Sequence, residues 1–120
     1  HQGEKNAIIL SGSSLRSAIV EMSAKGLSMV TIVDKENRLM GIITDGDLRR
    51  MLEKGVDVYH ETIDSVMTKN PKWIDYREMA VNALQYMNDF RITSMPVLDE
   101  GGFVIGSVLM QDIFKAGIVR

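Results

Sequence analysis

Thr44 and Asp47 stand three residues apart, where the apolar run Gly41-Ile-Ile-Thr44 gives way to Asp45-Gly-Asp47-Leu-Arg-Arg50. A strand that ends where a helix begins has this pattern. The pair supports two readings. In one it is a capping-box variant: the Thr44 hydroxyl accepts the Asp47 N–H, and the Asp47 carboxylate reaches back to the start of the helix. In the other, the same geometry holds a ligand. Free N–H groups and the positive dipole end of a helix start attract a phosphate. A cap hydroxyl adds one bond to that phosphate, and a carboxylate nearby accepts both hydroxyls of a ribose, as an acidic residue does in dinucleotide folds. The residue pattern alone leaves both readings open.

The remaining chemistry-bearing residues exclude more than they suggest. The chain has no Cys, which removes thiolate catalysis, Cys-ligated zinc and a disulfide framework. It also fits a reducing setting, and the expected location is cytoplasmic. His1 and His60 are the only histidines; they lie far apart without clustered ligand candidates, so no metal site and no required cofactor are expected. No nucleophile stands with a base and an orienting group, so no catalytic residue is assigned and this segment is not expected to be an enzyme by itself. The net charge is −2 with both signs interspersed, which argues against a nucleic-acid partner. No apolar run approaches the ~18 residues of a membrane span, and no signal-peptide pattern opens the chain. An opening at His1 rather than Met is expected of a piece of a longer protein.

The elements that position Thr44 and Asp47 occur twice. Moving Ala18–Leu48 forward by 65 residues lays it on Ala83–Ile113 without a gap. Ala18/Ala83, Met22/Met87, Asp34/Asp99, Gly41/Gly106 and Asp47/Asp112 are identical. Apolar residues replace one another at Ile19/Leu84, Leu27/Ile92, Val30/Met95, Ile32/Val97 and Ile43/Val108. The period exceeds that of solenoid repeats, which favours two small units over a stack. Leu15, Ala18, Ile19 and Met22 share one helical face, as do Ala80, Ala83, Leu84 and Met87. Ser13 or Ser14 is the expected N-cap of the first helix and Gly26 its stop.

Hairpins follow each helix. Met29–Val33, a turn at Asp34–Asn37 and Leu39–Ile43 form the first; Met95–Leu98, a turn at Asp99–Gly102 and Phe103–Leu109 form the second. Helices are expected at Asp45–Lys54 and from Gln111 to about Ala116, with short strands near Ala7–Leu10 and Lys72–Asp75. Each unit is then β-α-β-β-α. Residues 56–70 read as a connector with a helical turn around Ile63–Met67. Met22, Met51 and Met87 are expected as gap-filling core, and Asp34 and Asp99 as turn residues. Arg49 and Arg50 could reach a ligand phosphate, but as neighbours they point differently around the helix and are more often solvated; Lys69 and Arg91 are read in the same way.

The repeat, its element order and the strand ending Gly41-Ile-Ile-Thr44-x-x-Asp47 resemble the cystathionine-β-synthase (CBS) domain. Met95-Pro-Val-Leu-Asp99 is similar to that family's h-P-V-V-D strand, and Ser65-Val-Met67-Thr68 to its V-M-T lead-in. The resemblance implies an α/β (α+β) fold: two β-α-β-β-α repeats packed pseudo-symmetrically as one CBS-pair module. Repeat 1 would span 1–55, a connector 56–70 and repeat 2 71–120. Such pairs often bind adenosyl or other nucleotides between copies. Carried over by position, one site would use Thr44 for phosphate and Asp47 for ribose, with a base pocket from Thr68, Trp73, Ile92 and Thr93 of the second copy. The other would use Asp112 with Ile8, Leu27 and Ser28. Leu109 stands where the family pattern has Ser or Thr, so the second site lacks the phosphate hydroxyl.

A narrower resemblance adds the parent. Thr44-Asp-Gly-Asp-Leu-Arg-Arg50, Gly55-Val-Asp57, the opening His1-Gln-Gly-Glu4 and the ending Asp112–Val119 are similar to the C-terminal CBS pair of bacterial arabinose-5-phosphate isomerases. This implies a regulatory small-ligand module attached to an N-terminal sugar-isomerase domain that carries the active site, in the synthesis of 3-deoxy-manno-octulosonate (Kdo) for lipopolysaccharide or capsule. Candidate ligands are AMP, ATP or CMP-Kdo, and a homodimer through the CBS modules is the implied assembly. The competing expectation is a dimerisation scaffold with unoccupied clefts.

Overall fold

Strand β1 (Ala7–Leu10), helix α1 (Leu15–Lys25), strands β2 (Met29–Val33) and β3 (Leu39–Thr44) and helix α2 (Asp45–Glu53) follow the order read from the sequence. The computed structural model describes residues 7–115, which divide into two units between Pro71 and Lys72. The opening His1–Glu4 motif and the closing Ala116–Val119 lie outside the described residues.

In the first unit α1 buries Leu15, Ala18 and Met22, the face its periodicity marks. Ser14 caps it by accepting the Ser17 N–H at 3.1 Å. Gly26, at φ 62°, ends it in the left-handed region and donates its N–H to the Met22 carbonyl. β1 runs parallel to β2, as a helical crossover requires, and β2 pairs antiparallel with β3. All five β2 residues are buried, because β2 is an interior strand of the β1-β2-β3-β4 sheet. The hairpin turn is held by Asp34, whose Oδ1 accepts the N–H groups of Glu36 and Arg38 at 2.9 and 3.0 Å. Asp99 does the same for Gly101 and Phe103 at 2.9 and 3.0 Å, so both aspartates are turn residues.

The 56–70 stretch packs with the first unit. Ile63, in the short helix α3 (Ile63–Val66), and Met67 are buried in its core, with Val56 and Val58 against them. Strand β4 (Thr68–Lys69) pairs antiparallel with β3. The Asp64 carboxylate accepts the Ser11 hydroxyl and the Gly12 N–H, tying α3 to the β1–α1 loop. Gly41 is required where β4 crosses β3: a Cβ there would lie 2.6 Å from the Met67 sulfur and 2.7 Å from the Thr68 carbonyl oxygen.

The second unit repeats the plan with β5 (Ile74–Asp75), α4 (Met79–Phe90), β6 (Ser94–Leu98), β7 (Val104–Leu109) and α5 (Met110–Lys115). β5 is shorter than the Lys72–Asp75 segment expected; a 3-10 turn over Tyr76–Glu78 follows it, started by the Asp75 carboxylate accepting the Arg77 N–H. β5 is parallel to β6, and β6 antiparallel to β7. Each hairpin has its register irregularity at equivalent positions, Ile32/Val33 and Val97/Leu98. Ala83, Met87, Met95, Val97, Val108 and Ile113 form the core. Met22, Met51 and Met87 are all buried, as expected of gap-filling side chains. Where the first unit has Gly26, the second has Arg91 at φ 59°. No helix among the described residues is long and apolar enough to cross a membrane.

Candidate functional site

β3 delivers Thr44 to the first residue before α2, with extended backbone at φ −104° and ψ 166°. Its hydroxyl accepts the Asp47 N–H at 3.1 Å, and Asp47 Oδ2 accepts the Thr44 N–H at 2.9 Å. The capping box read from the sequence is therefore formed in full. The neighbouring Asp45 N–H donates to the Ser28 carbonyl at 3.0 Å, which fixes the helix start against the end of the α1–β2 loop. Asp45 places its own Oδ1 2.8 Å from the Gly46 N–H.

Asp47 has a third partner that spacing alone did not show. Arg50 Nη2 donates to Asp47 Oδ1 at 2.6 Å, with the Asp47 side chain 19% exposed and that of Arg50 59% exposed. Arg49 and Arg50 are both exposed, but they do not diverge as expected. A Cβ built on Gly46 would lie 3.4 and 3.7 Å from Arg50 Nη1 and Nη2, and 3.8 Å from Arg49 Nη2. Both guanidinium groups fold back over the first turn, and the bare Gly46 leaves them room. The signal was present in the sequence as an Asp three residues before an Arg on one helical face. The first turn of α2 thus presents a hydroxyl, a partly exposed carboxylate and two cationic forks on one short stretch.

The other expected site residues are placed as follows. Leu27 and Ser28 are half-buried before β2, and Ile8 is exposed on the edge strand β1. Thr68, grouped with the second copy on resemblance, packs within the first compact unit, opposite Ile42 on β4; the open edge of β3 needs a hydrogen-bonding partner, and β4 supplies it. In the second unit Trp73 is 49% exposed beside β5, Ile92 packs on the core, and the Thr93 carbonyl accepts the Met110 N–H at 2.8 Å. That last bond is the counterpart of Asp45 to Ser28, 65 residues on. Asp112 lies in the first turn of α5, half-buried. Leu109 precedes this helix, so the position equivalent to Thr44 has no hydroxyl.

Hydrogen bonds shift the acidity of carboxylates elsewhere in the chain. The Ser11 hydroxyl, then the Gly12 N–H, hold Asp64 below the usual carboxylate range. The Arg77 side chain, then its backbone N–H, hold Asp75 down at about 2. His60 beside Asp57 lowers that carboxyl too. The Asp57 and Asp75 bonds are local turn contacts, and the Asp64 bonds tie α3 to the β1–α1 loop. Among the described residues no cluster of three or more His, Asp or Glu could hold a metal ion.

Comparison with known proteins returns the family. A model described as the CBS domain matches twice, over residues 5–54 and 63–118. Arabinose 5-phosphate isomerase KdsD of Pseudomonas aeruginosa is 41% identical over 119 residues, 99% of this chain and 36% of that protein. The protein of the same name from Francisella tularensis subsp. tularensis is 44% identical over 114 residues, 95% of this chain and 35% of that one. The chain therefore spans 36% and 35% of the length of these two curated relatives. Among solved structures, the CBS domain pair of protein MJ0100, in complex with 5′-methylthioadenosine and S-adenosyl-L-methionine, aligns with a TM-score of 0.82 at 25% identity, covering 95% of this chain and 92% of that chain. The CBS domain structure NE2398 aligns with a TM-score of 0.83 at 24% identity, covering 96% and 89%.

Proposed function

The chain belongs to the CBS domain family, and we propose that it is a regulatory nucleotide-binding module whose ligand sets a phosphate at the start of α2 and a ribose on Asp47. The observation that carries this reading is the Thr44–Asp47 pair at the first turn of a nine-residue helix. The positive dipole end of α2 and the Thr44 hydroxyl suit an anion, while the first-turn N–H groups of Asp45, Gly46 and Asp47 are already bonded to the Ser28 carbonyl, Asp45 Oδ1 and the Thr44 hydroxyl. Asp47 keeps unused lone pairs on a carboxylate that is 19% exposed. The nucleoside class comes from family likeness: the MJ0100 pair was solved with two adenosine derivatives.

The proposal extends to the parent protein. The identity to KdsD over nearly the whole chain supports reading it as the C-terminal region of an arabinose 5-phosphate isomerase, with catalysis in a preceding sugar-isomerase domain and assembly as a homodimer. A ligand that favours one arrangement of the module would bias the attached catalytic domain by its differential affinity for the two states. A pathway end product such as CMP-Kdo fits that role, as do AMP and ATP. The competing scaffold reading draws on Leu109, which leaves the second helix start without a hydroxyl.

Asp47 should matter more than Thr44, because a hydrogen bond to a charged group contributes about 1.5–3 kcal/mol and a neutral one about 0.5–1.5 kcal/mol. In titration calorimetry with AMP, Asp47→Ala is expected to weaken binding by about tenfold or more. Equal affinities in the two forms would refute the assignment.

A further inference from the structure

The carboxylate assigned to the ligand is already engaged in the free protein. Asp47 Oδ2 holds the Thr44 N–H at 2.9 Å, and Oδ1 holds Arg50 Nη2 at 2.6 Å. These two bonds differ in kind. The first is part of the cap and is needed for α2 to start. The second joins the helix start to a side chain that is 59% exposed and whose fork lies over Gly46. A vicinal diol that bonds both carboxylate oxygens takes the remaining lone pair on each, and on Oδ1 it crowds the exposed Arg50 fork. A ligand that also carries an anion offers the guanidinium a replacement partner, and an uncharged nucleoside does not.

From this, and resting on the nucleotide reading above, we propose that Arg50 is the charge-selecting residue of the site: it latches Asp47 in the free protein and releases it to ligands that bring an anionic group beside the diol. The preferred ligand class is therefore a nucleoside phosphate or a similarly anionic nucleotide conjugate, over the neutral nucleoside. The fork can satisfy two acceptor oxygens at once, whereas a lysine at this position would act as a point charge. Arg49, whose Nη2 also approaches the Gly46 position, adds positive potential without a bond to Asp47.

The latch predicts effects of opposite sign for the two ligands. Removing Arg50 takes a partner away from the anion but removes the competitor for Oδ1. A purely structural role would move both affinities the same way. The test measures AMP and adenosine affinities for the whole chain as wild type, Arg50→Ala, Arg50→Lys and Asp47→Ala, with thermal unfolding to show that each variant is folded. For Arg50→Ala the expected result is a loss of AMP affinity of about tenfold. Adenosine affinity should hold or tighten by up to about fivefold, the scale of an exposed ion pair. Arg50→Lys should recover part of the AMP loss. Unchanged AMP affinity in Arg50→Ala, or adenosine weakened in parallel with AMP, overturns the latch while a weakened Asp47→Ala leaves the nucleotide reading standing. If wild type binds no AMP, or Asp47→Ala binds it as wild type does, both fall together.

Discussion

Gly41→Ala tests whether the glycine within β3, the strand that leads into the site, is there for packing. The new methyl carbon would sit 2.6 Å from the Met67 sulfur, 2.8 Å from its Cγ and 2.7 Å from the Thr68 carbonyl oxygen. The thioether can rotate aside, since methionine is unbranched and adaptable. The carbonyl cannot, because it is the backbone of β4, paired with β3 through Gly41–Lys69 and Ile42–Thr68. Either β4 shifts as a unit or the pairing opens. Overpacking of this kind costs about 1–3 kcal/mol, and each ladder hydrogen bond surrendered costs about 1 kcal/mol. A loss of about 2 kcal/mol follows, which for a chain of this size lowers Tm by roughly 8 °C. Calorimetric melting gives the shift, and hydrogen exchange at Ile42 and Lys69 locates it. A variant that melts within about 1 °C of wild type, with those amides still protected, would refute the close-approach argument.

Two further outcomes follow from the described residues. Arg91→Gly should stabilise the protein by about 0.5–1 kcal/mol in denaturant unfolding, because a left-handed conformation costs an L-residue roughly 1–2 kcal/mol while glycine forfeits about 0.5–1 kcal/mol of chain freedom; a destabilised variant would show that the φ of 59° carries no strain. Asp64 and Asp75 titrate below their ordinary 3.8 when folded, Asp75 at about 2. Depressed folded values mean that their stabilising contribution is present above the ordinary carboxyl value and is lost as pH falls through the folded one, which for Asp75 is about 2; carboxyl NMR midpoints at the ordinary value for both would contradict the hydrogen bonds named.

Most of what places Thr44 and Asp47 was legible because it is local. Helical periodicity marked Leu15, Ala18 and Met22 as core, and the cap chemistry of Ser14, Gly26 and Thr44 set the helix limits to within a residue. The duplication predicted the second hairpin from the first, down to the turn carboxylates Asp34 and Asp99. What escaped is non-local or a matter of rotamer. A two-residue strand at Thr68–Lys69 has no periodicity to detect, and it is defined only by Gly41 and Ile42, more than two dozen residues away. The Asp64 tie to Ser11 and Gly12 joins positions more than fifty residues apart. Arg49 and Arg50 are exposed, as their side-chain type suggests, but the helical divergence of neighbouring residues does not show that both long side chains fold back over Gly46. Arg91 is a surface cation, as its side-chain type suggests, but nothing in that type signals its left-handed backbone.

The role given to the start of α2 is tested most directly by following backbone amide resonances during an AMP titration. The account predicts saturable shifts centred on Asp45, Gly46 and Asp47, lost in Asp47→Ala. AMP binding that leaves those three amides where they were, or no binding at all, would contradict it.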